Sequence, residues 1–207
     1  MGFYLKQPRR PTNRMTHWDY SGDGIYYITI VTNYRICNLG DIIDGKMILS
    51  DFGKIVDSEW TKSFIIRNEL HLEEYVIMPN HIHSIIKLEK QKYNLWDGHS
   101  SSDLLVGAHG RAPLREDRGN TANDQGKPVR KPKSISSFIA GFKSSVTTRI
   151  DDFIDLHDLD MPKYNRFNHF FQPNYHDRLI RNQDEFVRLK RYIINNPRNW
   201  KKDIFNL

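Results

Sequence analysis

The chain has 207 residues, with 31 Lys and Arg against 25 Asp and Glu, a formal charge of +6 with histidine neutral, and a single cysteine, Cys37. One cysteine excludes an internal disulfide framework and a Cys-rich zinc site, and fits a reducing compartment. A globular chain of this length buries about 70% of its extended surface without a covalent staple; it has no apolar run of about 18 residues to suggest a membrane span, and its positive charge favours a polyanionic partner such as nucleic acid. A soluble, cytoplasmic protein with no signal peptide is expected.

Taken in chain order, "KQPRRPTNR" places Lys6, Arg9, Arg10 and Arg14 in a basic N-terminal arm over about residues 1–18 that lacks strand or helix periodicity. "GIYYITIVT" is aromatic and β-branched, and predicts a central strand. The Asp-Gly within "CNLGDIIDGKMILS" predicts a small hairpin. "DFGKIVDSEWTKSFIIR" carries Ile55, Val56, Trp60, Phe64 and Ile65 at helical spacing. "ELHLEEYVIMPN" and "HIHSIIKLE" predict two strands joined at Pro79-Asn80. Residues 90–131 lose all periodicity and read as a flexible insertion. A second amphipathic helix follows, with Ile135, Phe138, Ile139, Phe142, Val146 and Ile150 on one stripe and Gly141 placed to admit another backbone. "HFFQPNYHDRLI" offers a short strand, and a last helix starts at Asn182, with Glu185 as in a capping box, and stops at Pro197. These elements predict one domain over 1–207 of the α+β class: a ferredoxin-like or RRM-like antiparallel sheet with helices packed mainly on one face.

Strand alternation puts His81 and His83 of "MPNHIHS" on one face and Ile82 on the other. The pair has three readings: a metal grip, hydrogen-bonded core, or surface residues. In "DEFVRLKRYIINNPRNW", Phe186, Leu189 and Ile193 form an apolar stripe, while Tyr192 and Asn196, four residues apart, share a neighbouring face. Tyr192 can be a core residue with its hydroxyl at the rim, or a nucleophile beside a bound cation. Asn196 can end the helix, or offer its amide oxygen to a metal. Lys190, Arg191, Arg178 and Arg181 can contact phosphates or form a solvated face, and Tyr175 can stack on unpaired bases. For Trp18, Trp60 and Trp200 the expectation is packing.

The separated motifs "YVIMPNHIHSIIKL", "SISSFIAGFKSSVTTRI" and "NYHDRLIRNQDEFVRLKRYIINNP", with "GIYYITIVTNYR" before them, resemble the IS200-type tyrosine transposases, particularly the branch associated with repetitive extragenic palindromes. The resemblance covers nearly all of the chain outside 90–131. It implies a ferredoxin-like or RRM-like sheet, with His81 and His83 as the His-hydrophobe-His metal pair, Asn196 as the third metal position and Tyr192 as the nucleophile.

By the same resemblance the expected activity is that of a metal-dependent single-strand DNA endonuclease and strand transferase. Its cofactor is Mg²⁺ or Mn²⁺ without a nucleotide, its partner is single-stranded or hairpin DNA, and a covalent 5′-phosphotyrosine is the intermediate. A homodimer and a monomer are both compatible with one tyrosine per chain. The segment around Tyr20 to Tyr27 is expected to help read the DNA. The same residues also admit two rival functions: a non-catalytic nucleic-acid-binding domain, and a metallohydrolase using activated water with Tyr192 structural.

Overall fold

The computed structural model describes residues 22–90 and 131–206. The basic arm with Arg9, Arg10 and Arg14, Trp18, and the expected insertion between residues 90 and 131 lie outside the described residues. Four strands, β1 (Gly24–Val31), β4 (Leu70–Met78), β5 (His81–Leu88) and β6 (His176–Ile180), form an antiparallel sheet in the order β4-β5-β1-β6. Helix α1 (Asp51–Ile66) links β1 to β4 in sequence, and α2 (Ile135–Leu156) lies between β5 and β6. This β-α-β-β-α-β succession, with the first strand central, is a ferredoxin-like arrangement. A separate hairpin, β2 (Gly40–Ile43) and β3 (Lys46–Leu49), precedes α1. Its turn has Asp44 at φ 51° and Gly45 at φ 70°, the left-handed pair that an Asp-Gly two-residue turn adopts readily.

Alternation divides the sheet into two faces. Tyr26, Ile28 and Ile30 of β1, with Ile82, Ile86 and Leu88 of β5, meet Val56 and Trp60 of α1 and the buried stripe of α2 in the main core. The stripe is buried at all six positions expected from sequence. Trp60 joins the core, whereas Ile65 is exposed. On the other face, Ile25, Tyr27 and Ile85 meet Phe186, Leu189 and Ile193 of α3 (Gln183–Asn195). The two long helices thus share one face and the short α3 lies over the other. His81 and His83, being in step with Ile85, turn toward α3.

Several local expectations are refined. Ser50 caps α1 by accepting from the Gly53 amide at 3.0 Å, and a methyl group at Gly53 would lie 2.0 Å from the Leu39 carbonyl oxygen. The close backbone approach expected at Gly141 occurs at Gly53 instead; at Gly141 a methyl group would meet only the Arg67 guanidinium, at 3.5 Å. Only the second half of "HFFQPNYHDRLI" pairs as a strand, because Phe171 makes a single bridge to Thr32 before Pro173, which has no amide hydrogen to donate. Asn182 accepts from the Glu185 amide at 2.9 Å, but the Glu185 carboxylate accepts from the Arg181 amide rather than from Asn182. Pro197 ends α3 and opens a 3-10 helix, Pro197–Lys202, after which the Phe205 carbonyl accepts from Asn80 Nδ2 at 2.8 Å. Among the described residues no helix is long and apolar enough to cross a membrane.

Candidate metal centre

The first two residues of the site come from the start of β5, immediately after the Pro79-Asn80 turn. His81 is fully buried and His83 is 2% exposed, with their rings 4.4 Å apart between centroids. Asn80 determines the proton position on His81. Its Nδ2 donates to the carbonyls of Arg35, at 3.0 Å, and Phe205, so its Oδ1 faces His81 Nδ1 at 2.8 Å. An amide oxygen only accepts, so Nδ1 carries the proton and Nε2 presents a lone pair. That Nε2 is buried without a partner. His83 Nδ1 lies 2.8 Å from both the Thr29 and Tyr27 hydroxyls, and its ring stacks on Tyr27. Hydroxyls can give or take a proton, and with Nδ1 donating to Thr29 the His83 Nε2 is also free to ligate.

The opposite wall comes from α3 and the segment after it. Tyr192 Oη is 3.5 Å from His83 Nε2, at the long limit of contact, and donates to Asp203 Oδ2 at 3.2 Å. Asn196, 1% exposed, donates through Nδ2 to the same carboxylate oxygen at 3.1 Å, while its Oδ1 is buried without a partner. The other oxygen of Asp203 accepts from the Phe205 amide at 2.7 Å. One ligand atom from each of His81, His83 and Asp203 lies within 4.8 Å of the others. Two imidazoles and a carboxylate can coordinate a divalent cation, and the orphaned lone pair of His81 Nε2, within this cluster, fits such an ion.

Burial keeps both imidazoles neutral. Burial pushes His81 down to about 4, against an upward pull from Asp203. Burial, then the neighbouring His81 and His176, holds His83 well below the ordinary imidazole range. A metal ligand must be neutral imidazole, so both are in the ligating state at neutral pH. Burial, with the charge and hydrogen bond of Asp203, pushes Tyr192 up to about 12, so its phenol keeps its proton without a cation nearby. Tyr192 itself is 40% exposed, so its side chain lies at the surface of the cluster.

His81, His83, Tyr192 and Asn196 therefore meet around one carboxylate. The basic residues singled out from sequence are more dispersed. Lys190 Nζ is 3.6 Å from Glu74, Arg178 pairs with Glu185, and the Arg181 amide is bound by Glu185. Arg191 is exposed beside Tyr192. Tyr175 packs with the main core, its hydroxyl 2.9 Å from Ser136 Oγ and its ring under Lys143. Trp200 is half-buried at the rim, 6.0 Å from the His81 ring. Sequence reasoning missed Asp203, whose only signal is an acidic residue following Lys201 and Lys202. It also missed Asn80, Tyr27 and Thr29, which orient the imidazoles.

No family model matches the chain. An uncharacterized protein of Haemophilus influenzae is 28% identical over 194 residues, covering 94% of this chain and 91% of the relative. Among solved structures, a REP-associated tyrosine transposase bound to a REP hairpin has a TM-score of 0.49 at 15% identity, over 90% of this chain and 74% of the other. A protein described as a transposase of Deinococcus radiodurans has a TM-score of 0.37 at 16% identity, over 89% of this chain and 97% of the other. Neither similarity assigns a reaction to this chain.

Proposed function

We propose that the protein is a metal-dependent single-strand DNA endonuclease and strand transferase, with Tyr192 as nucleophile and a 5′-phosphotyrosine as its covalent intermediate. The observation that carries the reading is the meeting of an accessible phenol with a buried two-histidine and carboxylate cluster: Tyr192 Oη lies 3.5 Å from His83 Nε2 and 3.2 Å from Asp203 Oδ2. A metallohydrolase needs the cluster but has no use for a phenol directed into it.

His81 and His83, through Nε2, with Asp203 or Asn196 Oδ1, would hold the cation. When bound, Mg²⁺ or Mn²⁺ polarises the scissile phosphate and favours the phenolate form of a neighbouring tyrosine. The residues of the chain do the rest. Asp203 is positioned to receive the Tyr192 proton through its existing hydrogen bond. Tyr192 Oη forms the new bond to phosphorus, the bond from phosphorus to the 3′ oxygen breaks, and that oxygen leaves as a hydroxyl after taking a proton from solvent. The phosphodiester is conserved in the tyrosine linkage, so attack by a 3′-hydroxyl restores a strand without ATP. Among the described basic candidates, Arg191, exposed and adjacent in sequence to Tyr192, is the one assigned to neutralise a strand phosphate.

The test is incubation of the full chain with Mn²⁺ and labelled hairpin DNA bearing a single-stranded extension, followed by denaturing electrophoresis. The expected result is a protein–DNA adduct that Tyr192→Phe lacks while still binding metal. Cleavage without an adduct would instead favour the metallohydrolase, with Asp203 as base for water.

A further inference from the structure

The turn after β1 holds two consecutive non-glycine residues in the left-handed region, Tyr34 at φ 52° and Arg35 at φ 59°. Side chains rarely adopt this conformation because Cβ crowds the backbone, and such residues persist only where other contacts hold them. Here the contacts are explicit. The Arg35 amide donates to the Thr32 carbonyl at 3.1 Å, the Ile36 amide to Asn33 at 3.2 Å, and the Thr32 hydroxyl to the Ile36 carbonyl at 2.8 Å. The Arg35 carbonyl accepts from Asn80 Nδ2, the same side chain whose oxygen orients His81. The Arg35 guanidinium lies over Phe205 at 5.4 Å, and Phe205 is itself 4.6 Å from the His81 ring.

This strain buries nothing at Tyr34, whose side chain is 81% exposed and has no ring or hydrogen-bond partner among the described residues. A free aromatic face on a turn wired to the metal-site histidine is suited to a flat, unpaired ring arriving with the substrate. We propose that Tyr34 is a stacking platform for an unpaired nucleobase of the bound strand, with Arg35 bracing the turn against Phe205. The inference rests on the single-strand DNA reading above and adds a subsite to it. Stacking of a base on an aromatic face tolerates all four bases, so Tyr34 positions the strand without reading its sequence.

The test measures binding of fluorescein-labelled single-stranded DNA of mixed sequence to the full chain in Mn²⁺, with thermal unfolding in parallel. Tyr34→Gly and Tyr34→Ala are expected to weaken binding about tenfold, the effect of losing one stacked base, and Tyr34→Trp to restore it. Tyr34→Gly relieves the backbone strain at position 34, leaving that at Arg35, so its melting temperature should rise by about 2–4 °C as its affinity falls. A merely structural tyrosine would not separate the two readouts in that way. Unchanged DNA affinity in the glycine and alanine variants, with the wild type binding, overturns this inference alone. A wild type that neither binds nor cleaves any strand removes the nucleic-acid reading, and this inference with it.

Discussion

His81 illustrates how a single side chain is set by its neighbours. Its spacing from His83 predicts a shared face, but the free Nε2 follows from Asn80, whose two amide hydrogens are committed to the Arg35 and Phe205 carbonyls. A sequence offers no means of assigning that tautomer, because both carbonyls come from distant segments. The same burial has a consequence for pH. His81 titrates near 4 when folded and near the ordinary imidazole value of about 6.5 when unfolded, so between these values the unfolded chain binds more protons. The stability associated with neutral His81 is present above about pH 6.5 and is lost as pH falls toward 4, with His83 acting in the same direction. Thermal melts of the metal-free protein should fall across this window, and His81→Asn should flatten the dependence.

Helices and strands were largely legible because each carries its own periodicity. The buried stripe of α2, from Ile135 to Ile150, follows the 3.6-residue repeat, and the Asp44-Gly45 turn follows from backbone sterics. The glycines were not legible, because what a glycine makes room for lies elsewhere in the chain. Gly53 sits against the Leu39 carbonyl and Gly141 faces only Arg67. Gly53→Ala must displace backbone and is expected to cost about 1–3 kcal/mol. Gly141→Ala gains helix propensity against an ordinary contact and should stabilise by about 1 kcal/mol. Urea denaturation of both variants measures the contrast, and equal effects would remove the packing explanation for Gly53.

For the whole molecule, the ferredoxin-like sheet brings the start of β5 against α3 and the segment that continues it, two parts of the chain far apart in sequence with no local reason to meet. A cation held by His81 and His83 together with Asp203 or Asn196 would tie them together, and would bind the folded state alone. Mn²⁺ at about 100 times its dissociation constant should therefore stabilise the protein by about 2.7 kcal/mol. Differential scanning fluorimetry should record that rise in the wild type and its loss in His83→Ala; a similar rise in both would place the ion elsewhere.

The sequence by itself determined the strands and helices, the shared face of His81 and His83, and the neighbouring positions of Tyr192 and Asn196, because each depends on residues a few positions apart. Tertiary structure alone decided that these groups converge on Asp203. Asp203 lies beyond a proline, in a tail with no periodicity, and reaches the site because the 3-10 helix after Pro197 lets the tail fold back onto Asn80. Its hydrogen bonds to Tyr192 and Asn196 then join the final helix to that tail. Such a contact is fixed by packing of the whole chain, and no spacing rule connects its partners.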